Sequence, residues 1–332
     1  MRVIIDTDPG IDDSVALALA AASPELDILA ITTTYGNTTV DRATRNAREL
    51  FTRLGVSERI PVHPGADRPL LRPLQVAADT HGEEGLGYAE IGHAVRPENE
   101  PLEAPHAMLR LAATSDEPLT LICLGPLTNL ALALALDRPL LRQQVTEIVL
   151  MGGEPDGCGN ITPVSEFNFW CDPEAAEMVF RSGIPLRMVG LNVTRRMVVT
   201  RAAVDALAGH DMPTLRWWGD MLRFYEEFHR AQSGLEGCII NDPLAVALAM
   251  APEYGTTRPM FVEVALHDGP TRGQSLCDRH GLSGRPENAR VYTECRWLDV
   301  LALVNERVFG GALPASELSR GVSATLGPDL YQ

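Results

Sequence analysis

The chain has 332 residues, enough for one large α/β domain or two smaller ones, and 45% of them are hydrophobic, as in a soluble protein with a substantial core. A formal net charge of −16 argues against nucleic acid and anionic membrane surfaces as partners, and no apolar run reaches the roughly 20 residues of a membrane span. All 28 basic residues are Arg, which excludes any mechanism that needs a lysine. The six cysteines are scattered without a CxxC pair, so they read as reduced thiols of a cytoplasmic protein. The chain starts directly with a strand, which gives the expectation that no signal peptide precedes the fold.

That strand, over residues 3–5, is β-branched and uninterrupted, as in a buried parallel sheet. Pro9-Gly10 forces a turn, and Asp12, Asp13 and Ser14 suit a helix N-terminus, where free N–H groups favour anions. The turn carries Asp6, Asp8, Asp12 and Asp13, four carboxylates within eight residues. Like charges packed this closely need hydration, protonation or a cation. An all-oxygen set points to a hard divalent ion, Ca²⁺ or Mg²⁺, against the plainer reading of a capped helix with a solvated turn.

A helix over 14–22 follows, then a strand over 26–34 closing on Tyr35-Gly36-Asn37, a helix over 40–54 and a short strand over 60–62. This βαβαβ alternation predicts right-handed crossovers and a parallel sheet, with ligands outside the carboxyl ends of the strands. Residues 67–105 are irregular, a length typical of functional loops, with His81 in their midst as a surface histidine when taken alone. Strands are predicted over 119–124, 145–151 and 186–191, with a helix after the first ending near Leu136. Between the last two lie Asn160, Glu166 and Asn168, spaced polar groups among aromatics that suit a hydroxyl-rich ligand as well as a plain polar loop. Residues 201–232 read as helical, with Trp217 and Trp218 either in the core or stacking a flat ligand. Asp242 again sits near a helix start, and the tail reads as strands from about Phe261 with a last helix over 299–308. No repeat or domain boundary interrupts the chain, so one domain over 1–332 is expected.

Asp6-Thr7-Asp8-Pro9-Gly10-Ile11-Asp12-Asp13 resembles the DxDPGxDD signature of calcium-dependent nucleoside hydrolases. The resemblance continues through YGN (35–37), HGxxGL (81–86), GPLTN (125–129), LMGG (150–153), EFN (166–168), DPEAA (172–176) and NDPLA (241–245) in the family's order. It implies an open, Rossmann-like α/β fold with a mostly parallel sheet flanked by helices, in homodimers or homotetramers. It also implies hydrolysis of the N-glycosidic bond of ribonucleosides to base and ribose. By the same resemblance Asp8, Asp13, Asp242 and the carbonyl of Leu124 hold Ca²⁺, and Asp8 is the general base. Asp12 and Asn37 serve the 2′-OH side, Asn160, Glu166 and Asn168 the other hydroxyls, and Met151 lies against the sugar. His81 and Phe167 fall on the substrate side, while Asp6 orients its neighbours.

One position departs from the pattern. Where inosine–uridine type members carry a His as acid to the leaving base, this chain has Asn241, which donates a hydrogen bond but delivers no proton at pH 7. His81, His229 or Tyr225 could supply the proton, stacking on Trp217 or Trp218 could raise the basicity of the base, or the substrate could have an easier leaving group. The alternatives of another class are a ribose-binding homologue that has lost catalysis and a haloacid-dehalogenase-type phosphatase. The latter fits poorly with Gly10 and with the missing lysine.

Overall fold

The computed structural model describes residues 1–92, 102–314 and 317. Its strands are β1 (Arg2–Thr7), β2 (Asp27–Thr33), β3 (Val62–Pro64), β4 (Leu119–Cys123), β5 (Val145–Met151), β6 (Leu186–Val189), β7 (Val198–Thr200), β8 (Gly237–Ile239), β9 (Gly255–Val264), β10 (Ser275–Asp278) and β11 (Ala289–Cys295). They form a nine-stranded sheet in the order β10-β9-β11-β6-β5-β4-β1-β2-β3 and a separate β7-β8 ladder. From β3 through β11 every pairing is parallel; at the other edge β9 runs against β11, and β10 pairs antiparallel with β9. The single-domain, open α/β architecture expected from the strand–helix alternation is therefore present.

β1 is the pivot. From it the chain moves outward through β2 to β3, then returns to lay β4 on β1's other side and continue to β5 and β6. The reversal between β1 and β4 opens a crevice beyond their carboxyl ends, the usual ligand position in such sheets. The Asp-rich turn leaves β1 there, and Asn37, Leu124 and Met151 follow or end β2, β4 and β5 at the same rim.

Val3, Ile4 and Ile5 are all but inaccessible because helices cover both faces of the sheet. Beyond its first turn the helix Ile11–Ala21 is apolar around its whole circumference and packs against helix Asp242–Met250, which is equally apolar past Asp242. Both helices direct their N-termini at the rim, with Asp12 and Asp13 in the first turn of one and Asp242 in the first turn of the other. Burial of these two helices thus brings together carboxylates more than two hundred positions apart in the sequence.

Several elements differ from the sequence expectation. β3 begins two residues later than predicted, and the strand predicted from Phe261 starts at Gly255. The single helix expected over 201–232 is two, Arg201–Ala208 and Pro213–Ser233, because Pro213 keeps the residue before it out of the helical region. The helix expected to end near Leu136 breaks at Asp137, whose carboxylate accepts from the Leu140 N–H at 3.0 Å and starts a second segment running to Gln144. The irregular span 67–105 contains a short helix, Ala78–His81, and the first residues of another, Ala104–Thr114; its residues 93–101 lie outside those described. The β7-β8 ladder and β10 were not foreseen. Among the described residues no helix is long and apolar enough to cross a membrane.

Candidate active site

The turn after β1 is held by its own backbone. Asp13 accepts from the Thr7 hydroxyl (2.5 Å), the Gly10 and Asp8 N–H groups (3.1 and 3.3 Å) and the Asn37 amide (2.6 Å), so its carboxylate is fixed while fully buried. Asp8 accepts the Asn37 N–H at 2.7 Å through Oδ2, and its buried Oδ1 has no hydrogen-bond partner. Gly36 and Gly125 press against this carboxylate so closely that a Cβ at either would overlap it. That contact is why the YGN and GPLTN stretches need glycine there. Asp6 points the other way, accepting from Thr32 and Asn129 at 2.6 and 2.8 Å, with its carboxyl pushed up to about 7 by burial. Through Asn129, which also binds the Thr33 carbonyl and the Ala66 N–H, it braces the neighbouring loops.

Oxygens of Asp12, Asp13 and Asp242 all lie within 4.8 Å of one another. Burial is the main cause that raises all four site carboxylates above the ordinary range. Asp13 adds to the shift of Asp8, and Asp12 and Asp13 to that of Asp242. Hydrogen bonds offset this only in part, and Asp8 keeps an orphaned oxygen. Clustered, desolvated and all-oxygen, this donor set fits a hard divalent cation. The cluster can hold a metal ion.

Above it lies a cavity of about 320 Å³. Asp12, Asn37, His81, Leu124 and Met151 open onto it, and so do Asn160, Glu166, Phe167, Asn168, Asn241 and Asp242. Of the residues expected to bind the metal or the substrate, only Asp8 and Asp13 are not on its wall; they lie beneath, fully buried. Glu166 caps the helix Phe167–Cys171, accepting from the Gly153, Asn168 and Phe169 N–H groups at 2.9, 2.8 and 3.2 Å, while burial pushes its carboxyl up to about 6. The Asn168 amide donates to the carbonyls of Leu124 (2.7 Å) and Met151 (3.2 Å), tying the ends of β4 and β5 to that helix. Asn160 accepts the Phe167 N–H at 3.0 Å.

Residues 3–302 match the family model of the inosine-uridine preferring nucleoside hydrolase. The chain belongs to this family. It is 39% identical over 307 residues to the pyrimidine-specific ribonucleoside hydrolase RihA of Photobacterium profundum, covering 92% of this chain and 98% of the relative. Among solved structures, a purine-preferring ribonucleoside hydrolase from Gardnerella vaginalis superposes with a TM-score of 0.86 at 31% identity, over 94% of this chain and 99% of that one. An inosine-guanosine nucleoside hydrolase superposes with a TM-score of 0.85 at 29% identity, over 93% and 98%. As a nucleoside hydrolase, the chain is an N-ribohydrolase that cleaves the N-glycosidic bond of ribonucleosides.

The structure places the candidate proton donors and stacking residues differently from the sequence expectation. Trp217 and Trp218 are core residues at 6% and 1% exposure, the first donating its indole N–H to the Glu90 carbonyl, so neither stacks a ligand. The aromatics at the cavity are Phe167 and Trp170, stacked at 6.4 Å, with Tyr225 and Phe228. His81 is not a surface residue but 4% exposed; its Nδ1 accepts the Ile11 N–H at 3.1 Å, which leaves the proton on Nε2. Burial pushes it down to about 4, so it is a neutral donor near pH 7. Tyr225 gives its hydroxyl to Asp12 at 3.3 Å, and burial raises it well above its ordinary value. His229 donates Nδ1–H to the Tyr225 carbonyl at 2.8 Å, is likewise pushed down to about 4 by burial, and is not on the cavity wall. The sequence reading missed Gln75, Val76, Asp79, Thr80, Ile161 and Gln232, which also line the cavity and sit in loops or on a helix face without a motif of their own.

Proposed function

We propose that the chain hydrolyses pyrimidine ribonucleosides, with Ca²⁺ held by Asp8, Asp13, Asp242 and the Leu124 carbonyl. The observation that carries this reading is the convergence of the Asp12, Asp13 and Asp242 oxygens, within 4.8 Å of one another, with Asp12 and Asp242 on the wall of a cavity lined by hydrogen-bonding side chains. Ca²⁺ suits an all-oxygen set with room for water and ribose hydroxyls, and when bound it supplies the positive charge that acidifies water and polarises those hydroxyls.

Asp8, whose Oδ1 has no partner within the protein, takes the proton of the attacking water. Asp12 accepts from the ribose 2′-OH, supported on that side by Asn37. Asn160, Glu166 and Asn168 hold the remaining hydroxyls, while Met151 and Phe167 pack against the substrate. As the glycosidic bond lengthens, C1′ gains positive charge, which the surrounding buried carboxylates stabilise. His81, fixed as an Nε2–H donor, and the Asn241 amide offer hydrogen bonds to the departing base rather than a proton. A pyrimidine that leaves as a delocalised anion suits such donors, and the 39% identity to a pyrimidine-specific relative, against 31% to a purine-preferring one, supports the same preference.

The chain works on this reading as one domain over 1–332, in the cytoplasm, as a homodimer or homotetramer, with small-molecule nucleosides and neither nucleic acid nor membrane as partners. Reducing-sugar release from uridine, cytidine, inosine, adenosine and guanosine tests it. Faster release from uridine and cytidine is expected. Release only from purine nucleosides would overturn the base preference, and none from any nucleoside, with ribose still bound, would move the chain to the class of binding proteins.

A further inference from the structure

The loop over 154–165 carries Asn160 and Ile161 to the cavity yet has little apolar anchoring, with Asp156, Gly157 and Cys158 exposed. What fixes it is polar. Arg195 follows the short helix Leu191–Thr194 and reaches across to the loop from behind. Its Nη1 donates to Glu154 Oε2 at 3.2 Å, while Nη2 donates to the Cys158 carbonyl and, at 3.1 Å, to the Gly159 carbonyl. The Glu154 side chain is wholly buried and that of Arg195 only 17% exposed. The other oxygen of Glu154 accepts the Asp156 N–H at 2.6 Å, and its own N–H is held by Ser275 at 2.8 Å. The two carbonyls that Arg195 grips immediately precede Asn160, whose side chain then takes the Phe167 N–H.

The residue next door acts on another part of the cavity wall. Thr194, fully buried, donates its hydroxyl to Asn241 Oδ1 at 2.9 Å, which turns the Asn241 amide so that Nδ2 faces Asp12 Oδ2 at 3.1 Å. One dipeptide, outside every motif of the chain and off the cavity wall, therefore sets a side chain on each of two walls.

We propose that Arg195, paired with Glu154, is a positioning residue for substrate binding, which places Asn160 against the ribose by gripping the carbonyls of Cys158 and Gly159. The planar fork of Arg serves three acceptors at once, a geometry that Lys or a neutral side chain does not reproduce. The inference rests on the reading of Asn160 as a ribose contact.

The test is a double-mutant cycle of Arg195→Gln and Asn160→Ala, read as KM and kcat for uridine. Arg195→Gln alone is expected to raise KM about tenfold with kcat within about threefold of the parent, the pattern of lost uniform binding. In the Asn160→Ala background the same change should have little further effect, because its target is already gone. Fully additive KM effects, or a lowered melting temperature with unchanged KM, would overturn the proposal. Should Arg195→Gln fail to fold because Glu154 is left as an unpaired buried charge, the Arg195→Gln/Glu154→Gln variant removes that charge and carries the same cycle. Normal release by the parent with an unchanged KM in Asn160→Ala would instead contradict the ribose-contact reading, which separates the two failures.

Discussion

Asn241 holds Asp12 twice. Its backbone N–H and its side-chain amide both donate to Asp12 Oδ2 at 3.1 Å, and Thr194 fixes which face of the amide is turned there. The residue at the position of the family's acid is therefore an anchor for Asp12, the carboxylate proposed to take the ribose 2′-OH, before it is anything to the base. If a missing acid limits purine turnover, Asn241→His should raise the rate on inosine, since an imidazole can both hold Asp12 and carry a proton. An unchanged inosine rate would assign the leaving-group contact elsewhere, with His81 the donor closest to hand.

Asp8→Asn should abolish ribose release while leaving the metal-free protein at least as stable as the parent. The desolvation of the buried Asp8 carboxylate and its repulsion from Asp13 cost stability that a neutral amide of the same shape relieves, by on the order of 1–2 kcal/mol. Parallel denaturation curves and rate assays check it. Retained turnover would remove Asp8 from the base role.

Gly125→Ala should reduce turnover by at least about tenfold, with the fold kept, because the added methyl group overlaps the Asp8 carboxylate and must push it aside. Circular dichroism and kcat read the two halves of this expectation. A rate equal to the parent's would mean that the position of Asp8 is not critical.

His229 supplies a pH signature of stability. The folded protein holds it at about 4 by burial, whereas the unfolded chain titrates near 6.5. Between those values the unfolded state binds a proton that the folded state refuses, so the contribution is intact above pH 6.5 and lost as pH falls to 4. The difference amounts to roughly 3 kcal/mol. Denaturant titrations at pH 7 and pH 4.5 should show the advantage of the parent over His229→Asn narrowing in acid. A pH-independent difference would contradict a neutral, buried imidazole.

The sequence made the metal half of the site legible because Asp8, Asp12 and Asp13 lie in one local turn whose charge density has no cheap structural explanation. Asp242 and Asn168 stood out as polar groups in their own stretches, but their joining to that turn was reachable only through motif resemblance, since it depends on helix packing. Burial was harder to read. His81 looked like a loop histidine, yet the fold covers it and gives its Nδ1 the Ile11 N–H. Trp217 and Trp218 followed their helical spacing into the core. Arg195 and Thr194 left no signal at all, because they act on backbone carbonyls and one amide across the fold, contacts that impose no spacing on the chain. The β7-β8 ladder escaped for a related reason: three residues to a strand are too few to establish a period.

The most direct test of the account is a Ca²⁺ titration of chelator-stripped enzyme with uridine as substrate, followed by ribose release. The account predicts negligible release by the stripped protein and full recovery on binding one ion per chain, with no recovery in Asp8→Ala. Undiminished release after the metal is stripped would contradict it.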